Sequence, residues 1–323
     1  MPKVSVVLPV FNGTRFLREA ITSVLDQRFK DFELIAVDDG STDGSAAILS
    51  EYPQIRVLTQ KNAGQSSARN RGISVASGEM IALIDQDDRW HPTKLSRQID
   101  ALDAMPHVGM HYSDMDAIDE RGNLETRRII AAARLEHPKR SIVDCLRQDM
   151  FIIPTAVMFR RRIFDQVGGF DERLSGYEDD DLFLRMFPLT CFEFCPESLV
   201  QWRTYSSSYS HSERMERSRR IYIKKLVDLF PDDPARQSYF VRDLIVPRFT
   251  SIFLDAFNRA RHRSEKLKME RIGDDLLNTL GPYMTWRQRN RAWLLTRPGR
   301  WFALIRWLGN RLPRSVRELV GSG

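Results

Sequence analysis

Cysteine is scarce in this 323-residue chain, and the three present, Cys145, Cys191 and Cys195, include no C-x-x-C pair. An odd set without such a pair argues against a disulfide framework and against a zinc site, and points to buried free thiols. Also missing is any run approaching the roughly 18 apolar residues that a spanning helix needs. The apolar stretch from Trp301 to Leu308 is broken by Arg306. The first strand pattern begins at Val4, which leaves no room for a charged leader and an apolar core, so a secretory signal is not expected and the chain reads as cytoplasmic. There is no internal repeat and no low-complexity tract. With 42% apolar and 28% charged residues, the composition is that of a soluble globular protein, long enough for one catalytic domain with an appendage.

The net charge of +6 conceals an asymmetry. From Arg214 onward there are 24 Lys and Arg against 11 Asp and Glu, whereas the preceding residues carry 25 against 32. A basic tail behind an acidic half points to a polyanionic partner, a membrane surface or a nucleic acid. The texture changes at the same place, so residues 1–213 read as a catalytic domain and 214–323 as a basic, mainly helical region.

Val4-Ser5-Val6-Val7-Leu8-Pro9 is a β-branched run ended by proline and predicts a buried parallel strand. Leu17, Ile21, Val24 and Leu25 follow with helical spacing. Phe32 to Val37, Ile55 to Leu58 and Glu79 to Ile84 predict further strands. The helix toward Tyr52 is expected to be capped by Ser41 or Thr42, and another runs from Ser66 to Ala76. Strands alternating with short helices mean an α/β protein with a mainly parallel sheet. Pro92 fits the first position of the next helix, and His107 to Ile118 predicts an antiparallel excursion. A strand, a helix, a Gly168-Gly169 turn and another helix span Ile152 to Met186. Further on, Ile245, Phe249, Ile252, Phe253 and Phe257 form one helical stripe.

In such sheets, ligands bind beyond the carboxyl ends of the strands. The first strand end delivers Pro9-Val10-Phe11-Asn12, the second Asp38-Asp39-Gly40-Ser41-Thr42-Asp43, and the fourth Asp85-Gln86-Asp87-Asp88. Carboxylates alone repel a diphosphate. They make sense around a divalent cation bridging carboxylate and phosphate oxygens. Asp85 and Asp87, two apart, point to the same side of an extended segment. Ser41, Thr42 and Asp43 read as structural, and a turn or helix cap is the bland alternative for each acidic pair. Glu178-Asp179-Asp180-Asp181 opens a helix, where acids also favour the macrodipole.

These segments, together with Asn62-Ala63-Gly64-Gln65-Ser66-Ser67-Ala68-Arg69-Asn70-Arg71-Gly72, Asp88-Arg89-Trp90-His91-Pro92 and Gly176-Tyr177-Glu178-Asp179-Asp180-Asp181-Leu182, occur in an order and spacing that resemble the family 2 glycosyltransferases. The resemblance covers about residues 1–205. It implies a GT-A fold and an inverting enzyme that uses a nucleoside diphosphate sugar, UDP- or dTDP-linked, with Mn2+ or Mg2+. It further implies that Asp39, with Asp38 beside it, contacts the base, that Arg69 reaches the base or diphosphate, and that Asp85 holds the ribose. Pro9, Phe11, Asn12 and Gln86 join the donor-binding set. Asp87 is implied as metal ligand and Asp179 as general base. Members often carry a histidine shortly after an aromatic-Arg pair, whereas Trp202-Arg203-Thr204-Tyr205 has tyrosine there, which leaves His211 as the second candidate metal ligand. Trp90 and Pro92 read as structural, and Arg71 either touches the donor or pairs at the sheet rim.

Trp301, Leu304, Ile305 and Leu308 form one stripe near the end, flanked by Arg300, Arg306 and Arg311. Such a stripe suits a membrane interface or packing on protein. The expected acceptor is a glycan or lipid-linked glycan, with peripheral contact at the inner face of the cytoplasmic membrane. A sugar-nucleotide pyrophosphorylase lacks its Gly-rich, Arg-containing loop after the first strand, and the tail holds no recognisable nucleic-acid module, so no nucleic-acid partner is expected.

Overall fold

The computed structural model describes residues 1–205 and 213–296. His211 and the stripe from Gly299 to Leu312 lie outside the described residues. The chain divides into two compact units, one of Met1–Cys145 and Met150–Tyr222, the other of Leu146–Asp149 and Ile223–Gly323.

In chain order the elements begin β1 (Val4–Val10), α1 (Leu17–Leu25), β2 (Phe32–Asp38), α2 (Ser45–Ser50), β3 (Arg56–Thr59), α3 (Gln65–Ser74) and β4 (Met80–Leu83). There follow β5 (Arg89–Trp90), α4 (Lys94–Ala104), β6 (Val108–Ile118), β7 (Leu124–Thr126), α5 (Ile129–Ala132), α6 (Ile142–Arg147), β8 (Val157–Arg160), α7 (Arg161–Val167), α8 (Glu178–Met186) and β9 (Cys191–Arg203). The helices α9 (Glu213–Leu229), α10 (Val246–His262), α11 (Lys266–Leu280) and α12 (Trp286–Thr296) complete the described residues.

One sheet runs β3-β2-β1-β4-β8-β6-β9-β5, with β7 paired to β6. Its first half is parallel, as the β-branched runs predict: β1 lies between β2 and β4, with Val6 opposite Leu34 and Ala82. All seven residues of β1 are buried, because helices cover both faces of a central parallel strand. Pro9 does not end β1; it stays in register opposite Val37. The second half is mixed. β8 runs antiparallel to β4 and β6, while β6 runs parallel to β9, so the excursion expected at His107 to Ile118 is antiparallel on two sides and parallel on the third.

Three local expectations change. α2 starts at Ser45 rather than beside Ser41 or Thr42, and α4 starts at Lys94, two residues after Pro92. In both cases the polar residues before the helix are used in turns. Of the cysteines, all free, only Cys145 is buried; Cys191 opens a strand at the surface and is exposed.

In the second unit Phe249, Phe253 and Phe257 form the buried stripe of α10, as their spacing predicts. α10 packs along α11 and α11 along α12. Gly273 permits the last approach, since a Cβ there would lie 3.0 Å from the Thr296 Cβ. Among the described residues no helix is long and apolar enough to cross a membrane.

Candidate active site

The parallel strands all end on the same side of the sheet, and there a cavity of about 330 Å³ opens within the first unit. Pro9, Phe11, Asp39, Arg69, Asp85, Gln86, Asp87 and Asp179 line it. Asn12 and Asp38 do not. Asn12, at φ 51°, donates its N–H to Ser41 Oγ and accepts from the Thr42 N–H at 2.8 Å, so it ties the first strand end to the second. Asp38 is buried and accepts the Ser41 N–H at 2.9 Å. Both are consumed by the turn that shapes the rim. Asp43 is likewise structural, accepting from Thr14 and Ser45.

Gln86 exchanges two hydrogen bonds with the Phe11 backbone, its Oε1 accepting the N–H at 2.9 Å and its Nε2 donating to the carbonyl at 3.0 Å. This clamp locks the Asp85–Asp87 segment to the end of β1. It requires glycine at position 13, where a Cβ would stand 2.4 Å from Gln86 Oε1. Asp85, Gln86 and Asp87 form a turn rather than an extended segment, closed by the Asp88 N–H on the Asp85 carbonyl. The two carboxylates reach the same cavity by way of that turn.

Asp39 is 3% exposed and accepts three hydrogen bonds, from Gln60 Nε2 at 2.7 Å and from the Ala63 and Gly64 N–H groups at 2.8 Å each. It thereby fixes the loop leading into α3 while its edge faces the cavity.

Arg69, fully buried on α3, bridges two carboxylates. Its guanidinium donates to Asp85 Oδ1 at 2.6 Å and to Glu178 Oε1 at 2.8 Å. Burial works against this charge, but Asp85 and Glu178 outweigh it and push the pKa up. Among the described residues its Nε has no hydrogen-bond partner. Glu178 also accepts the Gly176 N–H at 2.7 Å and a bond from Gln65. The sequence marks Arg69 but not this partner, which is the first of four acids and reads as a helix-cap residue.

Asp179 follows at the start of α8, half-buried on the cavity wall, with Oδ1 accepting the Asp180 N–H at 2.9 Å. Burial, then the neighbouring Glu178 and Asp180, push its carboxyl well above the usual carboxylate range. Beside it the backbone turns through Gly176 at φ 133° and Tyr177 at φ 63°. No side chain fits at 176, because a Cβ would meet Met215 Sδ at 2.4 Å.

The far wall comes from the end of β9. Tyr205 Oη donates to Asp87 Oδ2 at 2.7 Å. Arg203, buried, donates from Nε to the Asp87 carbonyl at 2.8 Å and from its backbone N–H to Asp88 Oδ1 at 2.9 Å, with Glu19 taking another bond at 2.7 Å. Asp88 is therefore a strut, and burial with Asp87 and Asp85 nearby pushes its carboxyl well up. The sequence marks Arg203 as part of an aromatic-Arg pair and Asp88 as the last acid of a strand end, but nothing local says that they bond each other, 115 residues apart. Trp90 is structural as its position predicts, donating from Nε1 to the Thr155 carbonyl at 3.0 Å. Among the described residues the Arg71 guanidinium makes one long contact, to Gln60 at 3.5 Å, and it does not line the cavity.

Among the described residues no three His, Cys, Asp or Glu side chains converge to hold a metal by themselves. The wall nevertheless sets Asp39, Asp85, Asp87, Asp88, Glu178 and Asp179 against the two guanidinium groups of Arg69 and Arg203. Burial and the nearby Asp85 push the Asp87 carboxyl up, the mark of an anion short of positive charge. One or two carboxylates completed by ligand phosphates is a donor set that suits Mg2+ or Mn2+. The residues present fit such an ion, which Asp87 would hold from the protein side.

Known proteins resemble this chain in sequence and in fold. The sequence profile of Glycosyl transferase family 2 matches residues 5–168. An uncharacterized glycosyltransferase of Rickettsia bellii is 30% identical over 295 residues, covering 80% of this chain and 42% of that protein. A putative teichuronic acid biosynthesis glycosyltransferase of Bacillus subtilis, TuaG, is 38% identical over 106 residues, 31% of this chain and 42% of its own length. The matched stretch thus spans less than half of either relative. Among solved structures, S. aureus TarS 1-349 in complex with UDP-GlcNAc superposes with a TM-score of 0.63 at 18% identity, covering 87% of this chain and 80% of that one. The mannosyltransferase PcManGT from Pyrobaculum calidifontis, in complex with GDP-Man and Mn2+, gives 0.55 at 17% identity over 72% and 65%. At such identities the structures speak for the fold, which is GT-A. The profile spans just over half of the chain, from the first strand to the glycine turn before the acidic helix, and the chain therefore belongs to Glycosyl transferase family 2.

Proposed function

We propose that this chain transfers a sugar, with inversion, from a nucleoside diphosphate donor to a glycan or lipid-linked acceptor in cell-surface polysaccharide synthesis, working in the cytoplasm. Residues 1–213 form the catalytic part in this reading, and 214–323 its basic appendage. The observation that carries the proposal is the placement of Asp87 and Asp179 on the walls of one cavity, with Arg69 bridging Asp85 to Glu178 between them. Support for the donor comes from TarS with UDP-GlcNAc and PcManGT with GDP-Man, and for the pathway class from TuaG.

The acceptor hydroxyl is a poor nucleophile at neutral pH. Asp179 takes its proton as the acceptor oxygen bonds to the anomeric carbon and the bond to the diphosphate oxygen breaks. The raised pKa of Asp179 suits this task, because a base works best when its pKa lies near the operating pH. Attack and departure on opposite faces invert the anomeric centre. Asp39 accepts the imide N–H of uracil or thymine, and Asp85, held by Arg69, takes the ribose hydroxyls. A divalent ion held by Asp87 and the diphosphate would offset charge on the departing nucleotide.

The test is a screen of nucleotide sugars for metal-dependent hydrolysis or transfer, followed by Asp179→Asn and Asp87→Ala. One donor class should be consumed only with Mn2+ or Mg2+, and each variant should lose at least about a hundredfold in rate. Transfer at near wild-type rate by either purified variant overturns the assignment.

A further inference from the structure

We propose that Trp202, with Ile153 and Pro154, forms the subsite for the sugar ring that accepts transfer, and that this ring is a neutral pyranose. The inference rests on the transferase reading and adds to it the place and the charge of the acceptor. The order of the sheet carries it. Asp39 follows β2, Asp85 to Asp87 follow β4, Ile153 and Pro154 precede β8, and Trp202 lies near the end of β9. β8 runs antiparallel to β4, so its start stands beside the end of β4. β9 ends on that same side, because it runs parallel to β6, which is antiparallel to β8. The strand ends therefore lead from Asp39 past Asp87 to Trp202, and all of these residues line one cavity. β4 and β9 stand three strand spacings apart, roughly 14 Å. With the base at Asp39 and the diphosphate at Asp87, the sugars lie toward β8 and β9.

The wall there differs from the rest of the cavity. Asp85, Asp87 and Asp179 present carboxylate oxygens, whereas Ile153, Pro154 and Trp202 present apolar surface. Trp202 is half-buried, and among the described residues its Nε1 has no hydrogen-bond partner, while Trp90 Nε1 is spent on Thr155. An indole in a cavity wall offers a flat apolar face and one donor at its edge. A pyranose matches both: its C–H face lies on the ring, and a hydroxyl takes the N–H. A diphosphate gains nothing from the apolar face. Charge fixes the second part of the proposal. Asp39, Asp85, Asp87, Asp88, Glu178 and Asp179 stand against Arg69 and Arg203 alone. A divalent ion and a diphosphate offset one another, so the surplus negative charge faces the acceptor. A uronate or a sugar phosphate at its end would meet like charge and be repelled.

The test is saturation-transfer NMR of the full chain with methyl glycosides, alone and then with UDP and Mg2+. At least one of methyl glucoside, galactoside, mannoside and N-acetylglucosaminide should bind through the C–H protons of one ring face, and methyl glucuronide should not. Trp202→Ala should weaken that binding by about tenfold, the upper end of what an aromatic contact contributes, with calorimetric UDP affinity kept within about twofold. Trp202→Phe keeps a ring and drops the N–H. It should melt with the wild type and lose about threefold, the share of one neutral hydrogen bond. Failure of every neutral glycoside to bind, equal binding of the glucuronide, or unchanged binding by both variants overturns the proposal. So does a loss of UDP affinity equal to the loss of glycoside, which would set Trp202 against the donor. Glycoside binding is read without turnover, so binding at Trp202 with no transfer from any donor would sink the transferase reading and leave the sugar subsite in place.

Discussion

Tyr205 donates its phenol proton to Asp87 Oδ2 at 2.7 Å, across 118 residues of sequence. Its ring leans on Phe16 at 5.6 Å, and Phe16 in turn lies under the guanidinium of Arg203 at 4.2 Å. Burial, then Asp87, push the phenol pKa up, so Tyr205 remains a donor at any working pH. The bond orients one carboxylate oxygen and leaves the other for a ligand.

Tyr205→Phe should therefore weaken Mn2+ binding measured calorimetrically with nucleotide present, by about 10- to 100-fold, the usual cost of losing a partner behind a metal ligand. Unfolding stability should change little, because the ring and its contact with Phe16 remain. Unchanged metal affinity would mean that Tyr205 merely packs.

The Arg69 bridge makes a larger prediction. Arg69→Met leaves Glu178 buried at the mouth of α8 with one guanidinium fewer, and breaking a buried pair costs about 3 to 5 kcal/mol. Urea unfolding should show that loss. Adding Glu178→Gln should recover part of it, since the uncompensated charge disappears. If the single and double variants unfold alike, Glu178 draws its stability from Gln65 and Gly176 rather than from Arg69.

The parallel half of the sheet was legible in the sequence because its strands are short β-branched runs buried on both faces, a local signal. Leu17, Ile21 and Val24, or Phe249, Phe253 and Phe257, likewise announce helix faces by spacing alone. The antiparallel half was less so. β6 is buried along nearly its whole length, and nothing in Val108 to Ile118 says which strands flank it. The site shows the same division. Sequence marks Asp39, Asp85, Asp87 and Asp179 by their place after strands or at a helix start. It does not reveal that Asp39 is already tied by Gln60, Ala63 and Gly64, or that Asp38 and Asn12 are used up in the turn. Which acid meets the cavity and which braces a loop depends on partners distant in sequence.

Acid should weaken the fold before it protonates ordinary carboxylates. His111 is 4% exposed, and burial, then Lys94, lower its pKa to about 4; burial, then Lys139, do the same to His137. Folded, both are neutral at pH 5; unfolded, both take a proton below about 6.5. The unfolded state binds more protons throughout that window, so stability falls as pH drops from about 6.5 to 4. For His111 a shift of this size corresponds to up to about 3 kcal/mol. His111→Gln should flatten the slope in thermal melts over that range, at some cost in stability at neutral pH. An unchanged slope would place the acid sensitivity elsewhere.

Asp179 titrates in the opposite sense. Its folded pKa lies above the ordinary 3.8 because of burial and then Glu178 and Asp180. As pH rises past the unfolded value, the unfolded chain loses its proton first, so this residue increasingly disfavours the fold until its own pKa is passed. The same shift governs transfer. A base must be unprotonated, so kcat/KM should climb with pH along a limb set above the usual carboxylate range. Asp179→Asn should remove that limb and lower kcat by about 10²- to 10⁴-fold, while raising the melting temperature at neutral pH, since an amide carries no buried charge. A variant that loses activity and stability together would make Asp179 a structural helix-start residue. Loss of activity with a gain in stability is the pattern expected of a base that the fold keeps at its own expense.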